Sequence, residues 1–433
     1  MTADGIPSRA GLDRSAGLLL EGHDFAPRRR RRWGAGPDPA GRAVELRMLG
    51  QRTVLVGGPD AVRFFYDSDR FRRAGSIPGP IRNTLFGRGT IHVQDGEVHR
   101  LRKQMFLSLL DPAASRELAG VADRQWRAAV ERWEGSGRVV LFDEAVRVIG
   151  VAVCTWAGLP LTPANARRRV QDLATIVDGF GGVGPRHVRA RLARLRSERW
   201  VEDAVRDVRA GVLTPPDGSA LAVVAAHRGP DGELLDEHTA AVELLNVVRP
   251  TVAVSWFVAF AALALHENPQ WRDRLAAHHR PGADPAAADG DLEAFVQEVR
   301  RVYPFAPVIG ARARRTFTWR GHTFPEGRLV LLDLYGTNHA PELWPEPGSF
   351  DPTRFLGREP DPYSFVPQGG GDPASGHRCA GERVTVELLK GAVRVLTGLR
   401  YAVPEQDLTY PLSRIPTRPR SGVVLTRVRP AGA

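Results

Sequence analysis

The chain has 433 residues, 42% of them hydrophobic and 25% charged, which is enough for a large core and excludes intrinsic disorder as the main state. Sixty basic residues against 49 acidic ones leave a formal charge of +11. Only Lys103 and Lys390 are lysines, so the excess is arginine, whereas a nucleic-acid surface mixes both and carries a reading motif that is absent here. Two cysteines, Cys154 and Cys379, exclude a disulfide framework.

Residues 1–40, with Pro7, Pro27, Pro37 and Pro39, read as an arm, and the arginine run 28–32 as its solvated part. The triple Leu18-Leu19-Leu20 is too short and unflanked for a signal sequence. Alternation over 44–48 and 53–56 predicts a hairpin around Gly50. From 95 to 229 the pattern is helical, broken at Pro112, at Pro160 and at the glycines of 179–184. Cys154 lies among apolar neighbours and reads as core. A second helical block covers 236–303, with 281–290 as a surface loop. Its most apolar stretch, 251–265, falls short of the roughly 20 residues a bilayer span needs, so no membrane span and a cytoplasmic location are expected. Strand-like pieces such as 328–332, a proline-rich meander over 341–352, a glycine-rich loop over 369–376, a helix over 382–396 and short strands complete the chain. The expected fold class is mainly α with a small β part, in a single domain over 1–433.

Cys379 ends the stretch Phe365-Val366-Pro367-Gln368-Gly369-Gly370-Gly371, then Gly376-His377-Arg378-Cys379-Ala380-Gly381-Glu382. Glycines let backbone amides turn toward the sulfur, and a helix starts just after it. Both favour thiolate over thiol. A thiolate held in this way suits the axial position of haem iron. Upstream, Glu298 and Arg301 are spaced to pair on one helix face, and Phe350-Asp351-Pro352-Thr353-Arg354-Phe355 supplies a further arginine.

At these residues the chain resembles the cytochrome P-450 superfamily. The resemblance implies that fold, a helical bundle around haem b with small β-sheets. It makes Glu298, Arg301 and Arg354 the structural charge triad and Cys379 the iron ligand. The distance from Phe365 to Cys379 is twice that of most members, and the Pro-Gln-Gly-Gly-Gly … Gly-His-Arg-Cys form is similar to the bacterial fatty-acid peroxygenases and their decarboxylase relatives. That branch usually has proline after the cysteine, where this chain has Ala380.

The apolar helix carries Asn246-Val247-Val248-Arg249-Pro250-Thr251. Conventional members place an acid and a threonine there to relay protons to dioxygen. A buried arginine is costly unless it meets an anion, and Pro250 distorts the helix. Arg249 either pairs with a protein carboxylate or clamps a substrate carboxylate. The resemblance favours the clamp, because Arg-Pro is the branch's own pair. It implies a long-chain fatty acid and hydrogen peroxide as substrates and no obligatory redox partner. The bound carboxylate then acts as general acid–base, with oxidation at the α or β carbon. The products are a 2- or 3-hydroxy acid, or carbon dioxide and a terminal alkene. A ferredoxin-fed monooxygenase is the alternative.

In 84–103, His99 and Lys103 share a helix face. The resemblance assigns this pair to the haem propionates, and His377 and Gln368 of the cysteine loop to the cofactor as well. It places His92 at a distal position held by His or Gln, His being the choice of the decarboxylating relatives, and Phe86 against the substrate near the iron.

Overall fold

A computed structural model describes residues 6–35 and 39–431. About 52% of the chain is helical, as the patterning predicts. Helices at Gly96–Leu109, Pro112–Trp133, Leu141–Trp156, Pro163–Asp178, Pro185–Arg209 and Ala220–Ala226 fill the first helical block. Each predicted break falls between helices. Pro112 itself becomes a first helical residue, where its missing N–H costs nothing, and Asp111 caps the turn through Ala114 N at 2.8 Å. The second block holds Glu237–Val252, Val254–Glu267, Pro269–Ala277 and Pro285–Val302. The surface loop expected over 281–290 is therefore too long. Asp284 accepts from Ala286 N at 3.0 Å with Pro285 at the first helical position, and this start signal opens the helix inside the expected loop.

The helix pair Glu237–Val252 and Val254–Glu267 corrects a second expectation. Together they run for 31 residues, long and apolar enough for a bilayer, yet 94% of the apolar window is buried inside the protein. The apolar surface is spent on the core. Trp256, Phe260 and Leu263 lie in one cluster with Trp126, Leu141, Ile149 and Leu389 from the surrounding helices. Cys154 is in the same cluster with no exposed surface, as expected, and burial pushes its thiol up to about 12.

The β part is a six-stranded sheet in the order Ser8–Asp13, Val44–Met48, Gln51–Val56, Leu329–Asp333, Val308–Ala313, Phe71–Arg72, with smaller three- and two-stranded sheets. The hairpin around Gly50 is present. Val44 faces Leu55 and Met48 faces Gln51, with Leu49 and Gly50 both at positive φ in the turn. The arm reading is overturned. Ser8–Asp13 pairs parallel to Val44–Met48, and the arginine run forms the helix Phe25–Trp33. Arg30 is 4% exposed and donates to Asp333 Oδ2 at 2.7 Å, Arg29 pairs with Glu21 and Arg28 with Asp24. Three of the five charges are thus spent on carboxylates. Pro37 of that segment lies outside the described residues.

Candidate active site

The cysteine loop is fastened before it reaches the sulfur. Val366 N donates to Asn338 Oδ1 at 2.8 Å, and Gly369 and Gly371 take positive φ. A Cβ on Gly369 would collide with Tyr66 Oη, so only glycine lets the loop lie this close to the body. Cys379 N donates to Gln368 O at 3.2 Å, and Gln368 Nε2 lies 3.5 Å from Cys379 Sγ. Arg300 donates to Gln368 Oε1 at 3.0 Å, which fixes which end of the amide faces the sulfur. Arg300 also pairs with Glu382, and Glu382 with Arg378 at 2.6 Å. Burial pushes the Cys379 thiol up, against the pull of the Gly381 amide, Lys103 and Gln368. The loop alone therefore does not favour thiolate as the sequence predicts. A coordinated cation deprotonates such a thiol outright.

Basic side chains collect beside the loop. His99 and Lys103 are buried on Gly96–Leu109. The His99 ring is 4.0 Å from that of His377, and Lys103 Nζ donates to Arg378 O at 2.6 Å. Arg73 joins them, its guanidinium 5.1 Å from the Tyr66 ring centroid, and its backbone N–H donates to Asp95 at 3.0 Å. Asp95 also lies 3.7 Å from His377 Nε2. Lys103 and Arg73 carry charge here, and His99 and His377, whose imidazoles burial presses below the ordinary value, add ring nitrogens able to donate, so the corner suits an anion. Arg73 and Tyr66 were not visible in the sequence, because they sit some thirty residues upstream without a motif.

The predicted triad assembles. Arg301 holds Glu298 bidentately, both N···O distances being 2.7 Å, and Arg354 Nε stands 3.6 Å from Glu298 Oε1. Arg301 also donates to the carbonyls of Asn338, Pro347 and Ser349 at 3.0, 2.9 and 3.2 Å. One buried ion pair thus pins the irregular meander to the helix Pro285–Val302.

Arg249, on the helix Glu237–Val252, lies within electrostatic reach of Cys379. Only 5% exposed, it has one hydrogen bond among the described residues, from Nη2 to Asn246 Oδ1 at 3.3 Å, and its Nε is buried without a partner. It forms no ion pair among those residues either. The nearby carboxylates are spoken for: Glu243 by Arg102 at 2.8 Å and Glu198 by Arg194 at 2.7 Å. Burial and the Arg194 charge bring the Arg249 guanidinium down to about 9, offset by Cys379, so at neutral pH it remains a cation. The helix continues through Pro250, so the distortion expected at the proline itself is not seen, and the break comes three residues later. The helix breaks at Ala253, whose N–H is shared between Arg249 O at 3.3 Å and Pro250 O at 3.1 Å.

Phe86 lies under the Arg249 guanidinium at 5.5 Å and against the His92 ring at 4.1 Å. Its backbone is held by Arg194 Nη2 at 3.2 Å, an approach that needs glycine at Gly87, where a Cβ would collide with that nitrogen. Burial and the charge of Arg249 press the His92 imidazole well below its ordinary value, so it is neutral. His92 and Cys379 lie deep among protein atoms yet keep accessible surface, as groups lining a hollow do. Sequence reading missed Glu243, Asn246 and Thr90. The spacing of 243, 246 and 249, three residues apart on one helix, was the available signal for the first two.

Comparison with known proteins agrees with this geometry. The family model described as Cytochrome P450 matches residues 292–421. A solved single-substitution mutant of Cytochrome P450SP alpha (CYP152B1) superposes with a TM-score of 0.90 at 42% identity, covering 98% of this chain and 100% of that one. The chain belongs to the cytochrome P450 superfamily. Cytochrome P450EX alpha (CYP152N1), solved with myristic acid, is 39% identical with a TM-score of 0.90, over 98% of this chain and 99% of that one. Ligand-free cytochrome P450 OleT is 33% identical with a TM-score of 0.91 over the same shares. Its solved neighbours thus place this P450 in the peroxygenase and decarboxylase branch. An alignment with a human P450 spans only 34% of that protein's length.

Membership implies a haem whose iron is held by a cysteine thiolate. The residues fit it. Cys379 would supply the sulfur, and His99, Lys103, His377 and Arg73 would meet the carboxylates of the group.

Proposed function

We propose that this P450 uses hydrogen peroxide to oxidise long-chain fatty acids at the α or β carbon. The products are 2- or 3-hydroxy acids, with a terminal alkene and carbon dioxide as the decarboxylating outcome. The reading includes a cytoplasmic setting and no obligatory redox partner. The observation that carries it is the buried Arg249 cation, which meets no carboxylate among the described residues. A guanidinium desolvated to this degree is stable only if an anion completes it, and a fatty-acid carboxylate matches its donor fork.

Haem b held by Cys379 would supply the oxidising chemistry. The protein's share is placement. Arg249 fixes the carboxylate, and with it the position of Cα and Cβ. Phe86 packs against the clamp and excludes water from it. The clamped carboxylate stands where conventional members have an acid, and it moves a proton from one oxygen of hydrogen peroxide to the other. His92, neutral at the same wall, offers a hydrogen bond to the reacting groups. His99, Lys103 and His377 would hold the anionic edge of the cofactor, and Gln368 would set the hydrogen bonding of the thiolate.

The test uses the haem-loaded protein with hydrogen peroxide and myristic acid, without a reductase. Oxidised acid or alkene is expected by mass spectrometry. Arg249→Ala should lower turnover by about a hundredfold or more while the haem spectrum stays normal, because orientation and the proton carrier are lost together. A short external carboxylic acid should then partly restore peroxide consumption. Turnover only with a ferredoxin system, or full fatty-acid activity in Arg249→Ala, would overturn the reading.

A further inference from the structure

The hydrogen bonds around Thr90 have a direction. Asn246 lies between two groups of fixed character: Phe86 O, which only accepts, at 3.0 Å, and the Arg249 guanidinium, which only donates, at 3.3 Å. Its amide is therefore oriented with Oδ1 toward Arg249 and Nδ2 toward Phe86 and Thr90. Nδ2 also reaches Thr90 Oγ1 at 2.9 Å, and Glu243 Oε2, at 3.4 Å, is the longest of its three acceptors. That hydroxyl has no exposed surface and also accepts from His92 N at 3.4 Å, capping the short turn Ile91–Val93.

With both lone pairs facing donors, the Thr90 hydroxyl has its hydrogen left to give. The remaining neighbour is His92 Nδ1, 2.8 Å away. Nδ1 must therefore accept, which puts the single ring proton of a neutral imidazole on Nε2. Nε2 has no hydrogen-bond partner among the described residues, and the ring stands against Phe86 beside the arginine clamp.

The geometry points to a one-way relay, Arg249 to Asn246 to Thr90 to His92, in which Thr90 is a positioning residue that locks His92 as the Nε2–H tautomer, a donor facing the substrate hollow. This deepens the fatty-acid reading and rests on it for its catalytic meaning, while the tautomer itself does not depend on any substrate. The relay also ties the clamp to His92 across 156 residues of sequence between Asn246 and Thr90. A carboxylate drawing on Arg249 would pull on the same chain of bonds.

Nitrogen NMR of histidine-labelled holoenzyme, in the diamagnetic ferrous–carbon monoxide form, reads the tautomer. The His92 signals are those that vanish in His92→Gln. The expected spectrum has an unprotonated Nδ1 and a protonated Nε2, kept in Thr90→Ser and lost or mixed in Thr90→Val. With peroxide and myristic acid, Thr90→Val should lower kcat by about tenfold with KM within about twofold, since the clamp is intact and only His92 is released. A protonated Nδ1 in the unaltered enzyme, or a Thr90→Val tautomer identical to it, would overturn the relay. Should Thr90→Val fail to fold, the unaltered enzyme's spectrum decides alone. If the enzyme shows the expected tautomer but no peroxide-driven turnover, the substrate reading fails and the relay stands.

Discussion

Arg249 and Glu243 illustrate two fates for a buried charge on one helix face. Glu243 has no exposed surface and is met by Arg102, Ile91 N and Asn246, whereas Arg249 has a single neutral acceptor. The first is a structural pair and the second an open site. Glu243→Gln should therefore destabilise the protein by about 3–5 kcal/mol, because it strands the partly buried Arg102 guanidinium. Urea unfolding with the haem bound measures this. A loss near zero would mean that the bond Arg102 already makes to Gly89 O is enough to hold it. The arginine was legible in the sequence because Arg-Pro is a local pair with its own chemistry. The absence of a carboxylate beside it was not, since any of 49 acidic residues could have folded against it.

Elements follow local signals wherever those signals are complete. Asp111-Pro112 and Asp284-Pro285 each pair a capping side chain with a proline at the first turn, and both open helices. The prolines and glycines of 281–290 suggest a loop throughout, but the cap at Asp284 overrides that composition and opens the helix within it. Asp284→Ala should cost about 1 kcal/mol of stability, read as a lowered thermal midpoint. The arginine run shows the opposite error. A charge run is normally solvated, but Glu21, Asp24 and Asp333 fold against it, and the last of these is some three hundred residues away.

At the scale of the whole molecule, buried histidines couple folding to acidity. Burial brings His23 and His339 down from 6.5 to about 4 in the folded state. Unfolded, they take up a proton at the ordinary value. The unfolded chain thus binds more protons between these limits, and stability rises with pH across that window. Their contribution is complete above 6.5 and is lost as pH falls toward 4. Thermal midpoints should decline through this range, and a His23→Gln, His339→Gln double variant should flatten the decline. An unchanged slope would show that the carboxylates dominate it. Both histidines lie where the N-terminal segment meets the rest: His23 Nδ1 bonds Leu412 O at 3.0 Å, and its ring contacts Tyr335, next to His339.

By itself the linear sequence determined the fold class, the glycine-rich cysteine loop, the charge triad and the arginine on the apolar helix. Each of these depends on residues close in sequence or on motifs of fixed spacing. Only the tertiary structure decided that the N-terminal segment enters the main sheet, that the long apolar helix is core, that Arg249 meets no carboxylate among the described residues and that Thr90 lies against His92 Nδ1. Those depend on which distant groups meet in a closed interior. There, a hydrogen bond or ion pair is strong because water is absent, and a partner hundreds of residues away acts as a neighbour.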